Sequence, residues 1–229
     1  MTLLHQAKKD GIYWEERKII ATGIGSPNPD AAPAAQHAGA LRAARLLALR
    51  NAIELVKGIF INSSSTVENF MSTSGVVTTQ VSGFVKGFQQ SGRERYMSDG
   101  SVEVTMEIQL DGSGGITEML LGSSLNNSPN TIAVSNEMNT DKIVFSGLII
   151  DCKGLNVKPA LSPRLLDENG KEIYGSANVQ KEWAVKYGIV GYAKTIENAA
   201  KIDRVGQHPG TIKALKSSEK KQHRCHSFK

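Results

Sequence analysis

The spacing of apolar residues changes character several times along the chain, and each change marks an element. Between Arg17 and Gly25 the residues Ile19, Ile20 and Ile24 supply the β-branched bulk of a first strand. That strand stops at Gly25-Ser-Pro-Asn-Pro-Asp, a turn cluster through which no ladder continues. From Ala34 to Lys57 the rhythm becomes helical. Ala38, Leu41, Ala48, Leu49, Ala52, Ile53 and Val56 recur at spacings of three and four, which predicts one broad apolar face, and Gly58 is a natural stop. A helix this rich in alanine needs a sheet or a second helix over that face.

Ile59-Phe-Ile-Asn reads as a short strand, and residues 66–70 and 76–84 as a looser segment with a short helix in it. The clearest hairpin comes next. Phe84 to Met97 runs into Ser98-Asp99-Gly100, with Asp-Gly predicting a type I′ turn. On the return, Val102, Val104, Met106, Ile108 and Leu110 alternate with Glu103, Thr105, Glu107 and Gln109. Period two of this quality predicts a strand with one face on the core and one toward water or a partner. A hairpin here makes the sheet antiparallel.

After Leu110 the pattern weakens. Asp111-Gly-Ser-Gly-Gly opens a stretch rich in Ser, Asn and Gly that predicts a linker over 111–140, with one helical turn over Ile116 to Leu121. Ile143 to Ile150 predicts a buried strand, Arg164 to Tyr174 a second hairpin around Asp167–Gly170, Ile196 to Ala200 a short helix, and Thr211 to Leu215 a closing strand. No internal repeat of fixed period is present. The expected fold class is α+β: a long helix on an antiparallel sheet, followed by a smaller β-rich module. The expected division is an N-terminal segment 1–16, a helix-on-sheet domain 17–110, the linker 111–140, the second module 141–216 and a basic tail 217–229.

Charge sharpens the picture of the tail. The chain of 229 residues carries a formal net charge of +5. From Lys213 onward there are six Lys/Arg and one acid, Glu219, so the remainder holds 21 basic and 21 acidic residues and is neutral. A basic C-terminus is either a solvated, frayed end or a contact for anionic lipid or nucleic acid. Only Phe228 interleaves with its charges, so it lacks the stacking platform of a single-strand binder, and no specific nucleic-acid partner is expected. No stretch reaches the roughly 20 apolar residues of a membrane span. The first ten residues contain neither an apolar signal core nor a lipobox cysteine, which taken alone reads as cytoplasmic.

Motifs that carry chemistry are thin. Gly23-Ile-Gly25 stands between strand and helix, where a phosphate loop belongs, yet Pro27, Pro29 and Pro33 remove the amide donors such a loop uses. His223, Cys225 and His226, with His208 upstream, match no closed four-ligand spacing, and His5 and His37 are isolated. No Gly-x-Ser-x-Gly elbow exists. Glu15-Glu16 and Asp167-Glu168 are adjacent in sequence and would point apart on a strand, which makes them poor acid–base pairs, and Asp167-Glu168-Asn169-Gly170 suits turn chemistry. Asp151 ends an apolar strand and is expected to cap the Lys153-Gly154 turn. Cys152 and Cys225 lie in unlike contexts, so a disulfide between them is not expected. Arg42 and Arg45 fall near the apolar stripe of the helix, where they either snorkel, pair with a carboxylate or form an anion site. No catalytic, cofactor-binding or metal-ligating residue is assigned, and no cofactor is expected.

Four segments in order carry a family resemblance: Ala21-Thr-Gly-Ile-Gly25, the Ala/Arg-rich helix ending Glu54-Leu-Val-Lys-Gly58, Val81-Ser-Gly-Phe-Val-Lys-Gly87, and Asp99-Gly-Ser-Val-Glu-Val-Thr-Met-Glu-Ile108. Over about 17–110 they resemble the lipoprotein-twenty (LPP) family and the N-terminal domain of flagellar assembly protein T. The second module, from Gly147 through Ser176, looks like the extension of some longer envelope members. The resemblance implies an exported protein, periplasmic or attached at the outer membrane, with protein partners in the envelope and no catalytic residues; the export signal would then lie upstream of Met1. The functional expectation is a non-catalytic envelope scaffold or assembly protein, flagellum-associated in one branch of the resemblance. The alternative is an anionic-surface or small-ligand binding domain acting through the basic tail and Arg42/Arg45.

Overall fold

The computed structural model describes residues 9–74, 86–122, 125 and 145–217. The expected loose segment 76–84, most of the linker beyond 122, His5, His223, Cys225, His226 and the tail beyond 217 lie outside the described residues. Within them, β1 (Gly11–Tyr13) and β2 (Lys18–Gly25) precede the long helix α1 (Pro33–Lys57). Then come β3 (Phe60–Asn62), β4 (Ser65–Thr66), α2 (Val67–Ser74), β5 (Gln89–Gln90), β6 (Arg95–Tyr96) and β7 (Val102–Gln109). The main sheet is antiparallel, in the order β1-β2-β7-β5, with β6 also pairing with β7.

β2 and β7 pair over all eight residues, from Lys18 opposite Gln109 to Gly25 opposite Val102. The register puts Ile19, Ala21, Gly23 and Gly25 on the same face as Ile108, Met106, Val104 and Val102. That face is buried beneath α1. The expected α+β arrangement, a long helix lying on an antiparallel sheet, is what the structure shows.

The buried stripe of α1 includes the expected Ala48, Ala52 and Val56 but is otherwise shifted. It runs Ala40, Ala44, Ala48, Ala52, Val56, one residue every four, while Ala38 is exposed and Leu41, Leu49 and Ile53 flank it half-buried. Size rather than hydrophobicity decides which residues face the sheet. A Cβ added at Gly23 would stand 2.2 Å from the Ala44 carbonyl oxygen, and one at Gly25 would stand 2.0 Å from that of Ala40. Helix backbone therefore meets strand backbone directly, and only alanine over glycine fits the gap. Close packing, rather than phosphate binding, accounts for Gly23-x-Gly25.

The first hairpin turn also departs from expectation. Met97 N–H donates to Ser101 O (2.9 Å) and Gly100 N–H to Met97 O (3.0 Å), so the loop has three residues. Gly100 is left-handed at φ +82°, whereas Asp99 stays out of that region; a type I′ pair would need both there. Asp99 acts instead through its carboxylate, which accepts the Ser101 N–H at 2.9 Å. The second hairpin, β9 (Leu165–Leu166) with β10 (Glu172–Tyr174), repeats the device: Gly170 is left-handed and the Asp167 carboxylate accepts the N–H groups of Asn169 and Lys171, each at 2.9 Å.

The stretch after Leu110, expected to open a linker, is packed through Leu121. Gly112 and Gly114 take positive φ and fold the chain into a tight turn, and α3 (Ile116–Leu121) buries Ile116, Thr117, Leu120 and Leu121. Glycine here serves geometry rather than freedom. Beyond it, β8 (Gly147–Asp151) pairs in parallel with β11 (Pro209–Lys213), and α4 (Lys181–Tyr187) and α5 (Ile196–Ala200) lie between them in sequence. Only Ile149 of β8 is buried, so the expected buried strand is a half-exposed one. The second module builds no separate core among the described residues: Leu161, Ala184 and Ile189 are buried in one cluster with the α1 and β7 residues. Leu161 and Ser162 donate their N–H groups to the carbonyls of Phe60 and Ile61 at 2.9 and 2.7 Å, stitching this region onto β3.

Candidate functional site

The densest convergence of charged and aromatic side chains sits where β1–β2, the turn after β7 and the second module meet. Arg17, just before β2, is the one non-glycine described residue in the left-handed region, at φ +54°. That conformation turns its carbonyl to accept the Leu110 N–H at 2.7 Å and its side chain toward Asp111. The guanidinium grips the carboxylate with two bonds, Nε to Oδ2 at 2.5 Å and Nη2 to Oδ1 at 2.8 Å. Thr117 Oγ1 adds a donor to Oδ1 at 2.8 Å. The pair is largely shielded from water, with side-chain exposures of 18% and 7%.

Aromatic groups and the second module close the cluster. The Trp14 ring lies 5.8 Å from the Arg17 guanidinium, and Trp14 meets Tyr192 edge to face at 5.3 Å. Gly188 is left-handed and sits against the pair; a Cβ there would stand 2.4 Å from Arg17 Nη2. The Gly112 N–H donates to Val185 O at 2.7 Å. The Tyr192 hydroxyl donates to Ala160 O and accepts from Ala160 N–H, both at 2.9 Å, and burial pushes its pKa above the usual tyrosine value, with Arg17 partly opposing. The hydroxyl is thus a fixed neutral connector. Nearby, Glu15 accepts the Lys194 N–H at 2.9 Å. Every one of these bonds ties the N-terminal elements or the post-β7 turn to the second module, or fixes a group that does. Arg17 Nη1 is buried with no hydrogen-bond partner among the described residues.

The residues singled out in the sequence lie elsewhere. Arg42 and Arg45 are both exposed, away from the buried stripe, and Arg45 donates to the neutral Gln90 side chain at 3.1 Å rather than to a carboxylate. Asp151 accepts the Lys153 N–H at 2.9 Å ahead of left-handed Gly154, the capping role expected of it. Cys152 is free and half-buried; burial, then the Asp151 charge, raises its thiol pKa, which keeps it a weak nucleophile. His37 stacks on Tyr96 with centroids 4.9 Å apart and rings 3° from parallel. Among the described residues no group of three or more His, Cys, Asp or Glu is arranged to hold a metal ion, and no helix is long and apolar enough to cross a membrane.

Sequence reasoning missed the Arg17–Asp111 junction. Asp111 opened what looked like a linker, and nothing in the pattern ties it to a residue 94 positions earlier. Two shallow depressions border the junction. One, of about 290 Å³, is lined by Glu15, Tyr192, Asn198 and Lys201 among others, and the second, of about 360 Å³, by Glu118, Lys181, Glu182 and Lys186 among others. Both are open to solvent.

Residues 147–225 match the family described as Treponema pallidum Tp0624, second domain. The match spans 79 of the 229 residues. This corrects the resemblance drawn from the sequence: the family found is this Treponema pallidum domain, and neither the lipoprotein-twenty family nor flagellar assembly protein T. Two of the motifs that carried the resemblance have a local explanation, Gly23-x-Gly25 in close packing and Asp99-Gly100 in turn geometry. No curated protein matches the chain.

Proposed function

We propose that this protein is a non-catalytic scaffold or assembly module that works by packing against a protein partner. The observation that carries this is how the converging groups at the junction are used. Asp111 accepts from Arg17 and Thr117, the Tyr192 hydroxyl both donates to and accepts from Ala160, and Arg17 keeps unbonded only Nη1, which is buried. A catalytic site keeps bonding capacity for its substrate. The flagellar and envelope assignments came with the family resemblance and lose their support with it.

The outer side of α1 is the surface for such a partner, since Leu46 is 65% exposed and Leu47 lies beside it, also exposed. A stable contact of this kind buries on the order of 800 Å² per partner. Photo-crosslinkers placed at Leu46 and Leu47 in cells should capture a discrete protein, and the complex should persist as salt is raised. Binding that collapses by orders of magnitude between low and moderate salt would sink this reading and favour a second one. In that second reading the basic tail and Arg42/Arg45 bind an anionic surface. It is favoured by the gathering of the whole net charge from Lys213 onward and by the exposed setting of Arg42 and Arg45.

A further inference from the structure

The outward crest of α1 sets an exposed leucine between two arginines. Arg42, Leu46 and Arg50 recur every four residues on the side away from the sheet, and all three are exposed, Leu46 at 65%. Ala35, Gly39, Ala43 and Leu47 form the neighbouring row at the same spacing, exposed as well. A Cβ added at Gly39 would meet nothing within 4 Å, so this row lies open. Rows four residues apart are the ridges by which helices interlock, and a low row of small residues beside a taller one is a groove for a second helix.

Charge selects the occupant. From Pro33 to Lys57 the sequence holds a single acid, Glu54, and Lys57 pairs with it at 2.8 Å. Arg42 and Arg50 form no ion pair among the described residues. Arg45, on the flank, is turned to Gln90. A second copy of the chain does not fit, because two-fold pairing of the crests would set the arginines of one against those of the other. A bilayer does not fit either. An interfacial helix inserts its broad apolar face, and that of α1 is turned to the sheet. What fits is a helix whose apolar row packs around Leu46 and whose carboxylates lie one turn to either side, where the planar guanidinium groups can grip them.

We propose that the Arg42–Leu46–Arg50 crest docks an acidic amphipathic helix of a protein partner. The proposal rests on the reading of this protein as a packing module and deepens it by naming the partner's chemistry. The probe is a fluorescein-labelled synthetic helical peptide with leucines in one row and glutamates flanking them, together with a twin carrying glutamine at every glutamate. In fluorescence anisotropy with the full chain, the twin should bind roughly tenfold more weakly or worse. Arg42→Gln/Arg50→Gln should weaken the glutamate peptide by about as much, and Leu46→Ala by roughly fivefold, each in a chain that keeps the parental melting profile. Lys153→Gln/Lys171→Gln removes the same charge at exposed positions elsewhere and should leave binding unchanged. Moderate salt should weaken the complex severalfold rather than by orders of magnitude, because packing around Leu46 does not depend on ionic strength.

A second measurement needs no synthetic probe: the protein captured in cells by a photo-crosslinker at Leu46 should be joined through a segment rich in Asp and Glu with apolar residues at helical spacing. A captured segment without that excess of acid, equal binding of the two peptides, or binding of neither overturns the inference and leaves the packing reading standing. Capture of nothing at Leu46 or Leu47 overturns the packing reading and the inference with it. Co-sedimentation with phosphatidylglycerol vesicles that is lost in Arg42→Gln/Arg50→Gln, with neither peptide bound, would assign the crest to lipid and overturn the inference as well.

Discussion

Replacing Gly25 with alanine is the sharpest probe of how this fold is held. The added Cβ would lie 2.0 Å from the Ala40 carbonyl oxygen and 2.5 Å from the Ala44 nitrogen, where ordinary contact begins at 3.4 Å. Both obstacles are backbone of the same helix, so no rotamer change relieves them. Helix α1 must retreat by about 1.4 Å at this end, which loosens Ala40 and Ala44 from the sheet as it does so. Overpacking of a core costs about 1–3 kcal/mol, and a clash of backbone on backbone belongs at or above the top of that range.

At about 2–4 °C per kcal/mol for a chain of this length, Gly25→Ala should lower the melting temperature by roughly 6–12 °C. The control is Gly39→Ala on the same helix, where an added Cβ meets nothing within 4 Å. There the same substitution should stabilise by about 1 kcal/mol, through helix propensity and reduced freedom of the unfolded chain. Thermal unfolding followed by far-ultraviolet circular dichroism reads both. If Gly25→Ala melts at or above the parental temperature, direct contact between helix and strand backbone is not what seats α1.

The junction and its neighbours give three further expected outcomes. Asp111→Ala strands the shielded Arg17 guanidinium without its partner and should cost about 3–5 kcal/mol in denaturant unfolding, whereas Arg17→Met/Asp111→Leu together should recover much of that; equal losses in the two would deny that the pair acts as a unit. Burial raises the hydroxyl pKa of Tyr174 and Tyr192, so above about pH 10 the unfolded chain releases protons that the folded one keeps, and stability should fall as pH rises through that range. A spectrophotometric titration in which all five tyrosines ionise together near pH 10 would contradict this. Cys152, its thiol pKa raised by burial, should react with iodoacetamide at neutral pH more slowly than a free thiol, as read by peptide mapping; faster labelling would place a thiolate there.

How much of this was legible in the sequence depended on whether the signal was local. The strand 102–109 could be read residue by residue, because alternation is a property of consecutive positions and Val102, Val104, Met106 and Ile108 had to share a face. The existence of α1 was equally plain, and Ala48, Ala52 and Val56 of its expected face are buried. Ala40 and Ala44 were missed and Leu41, Leu49 and Ile53 overrated, because the strand opposite offers glycine and leaves room for alanine there. The Asp99-Gly100 turn was recognised as a turn but assigned a two-residue loop, since the identity of two residues does not reveal which carboxylate oxygen accepts which amide; the second hairpin lies around Asp167–Gly170 as expected. Asp111 was beyond reach. Its partner is distant in sequence, and its glycine-rich surroundings mimic a flexible connection while building a rigid one. In the second module the hairpin around Asp167–Gly170 and the helix Ile196–Ala200 were legible from local signals, whereas the helix Lys181–Tyr187 was not.

The single shared core bears on how the matched region can be handled in isolation. A fragment starting at residue 145 would carry the whole stretch that resembles the Treponema pallidum domain, but it would leave Leu161, Ala184 and Ile189 without the partners they are buried against. It would also strip β3 from Leu161 and Ser162, removing two backbone bonds that no solvent-free substitute within the fragment replaces. In this chain the stretch of recognisable similarity is therefore smaller than the unit that folds, because part of its apolar wall and one strand edge come from the residues before it.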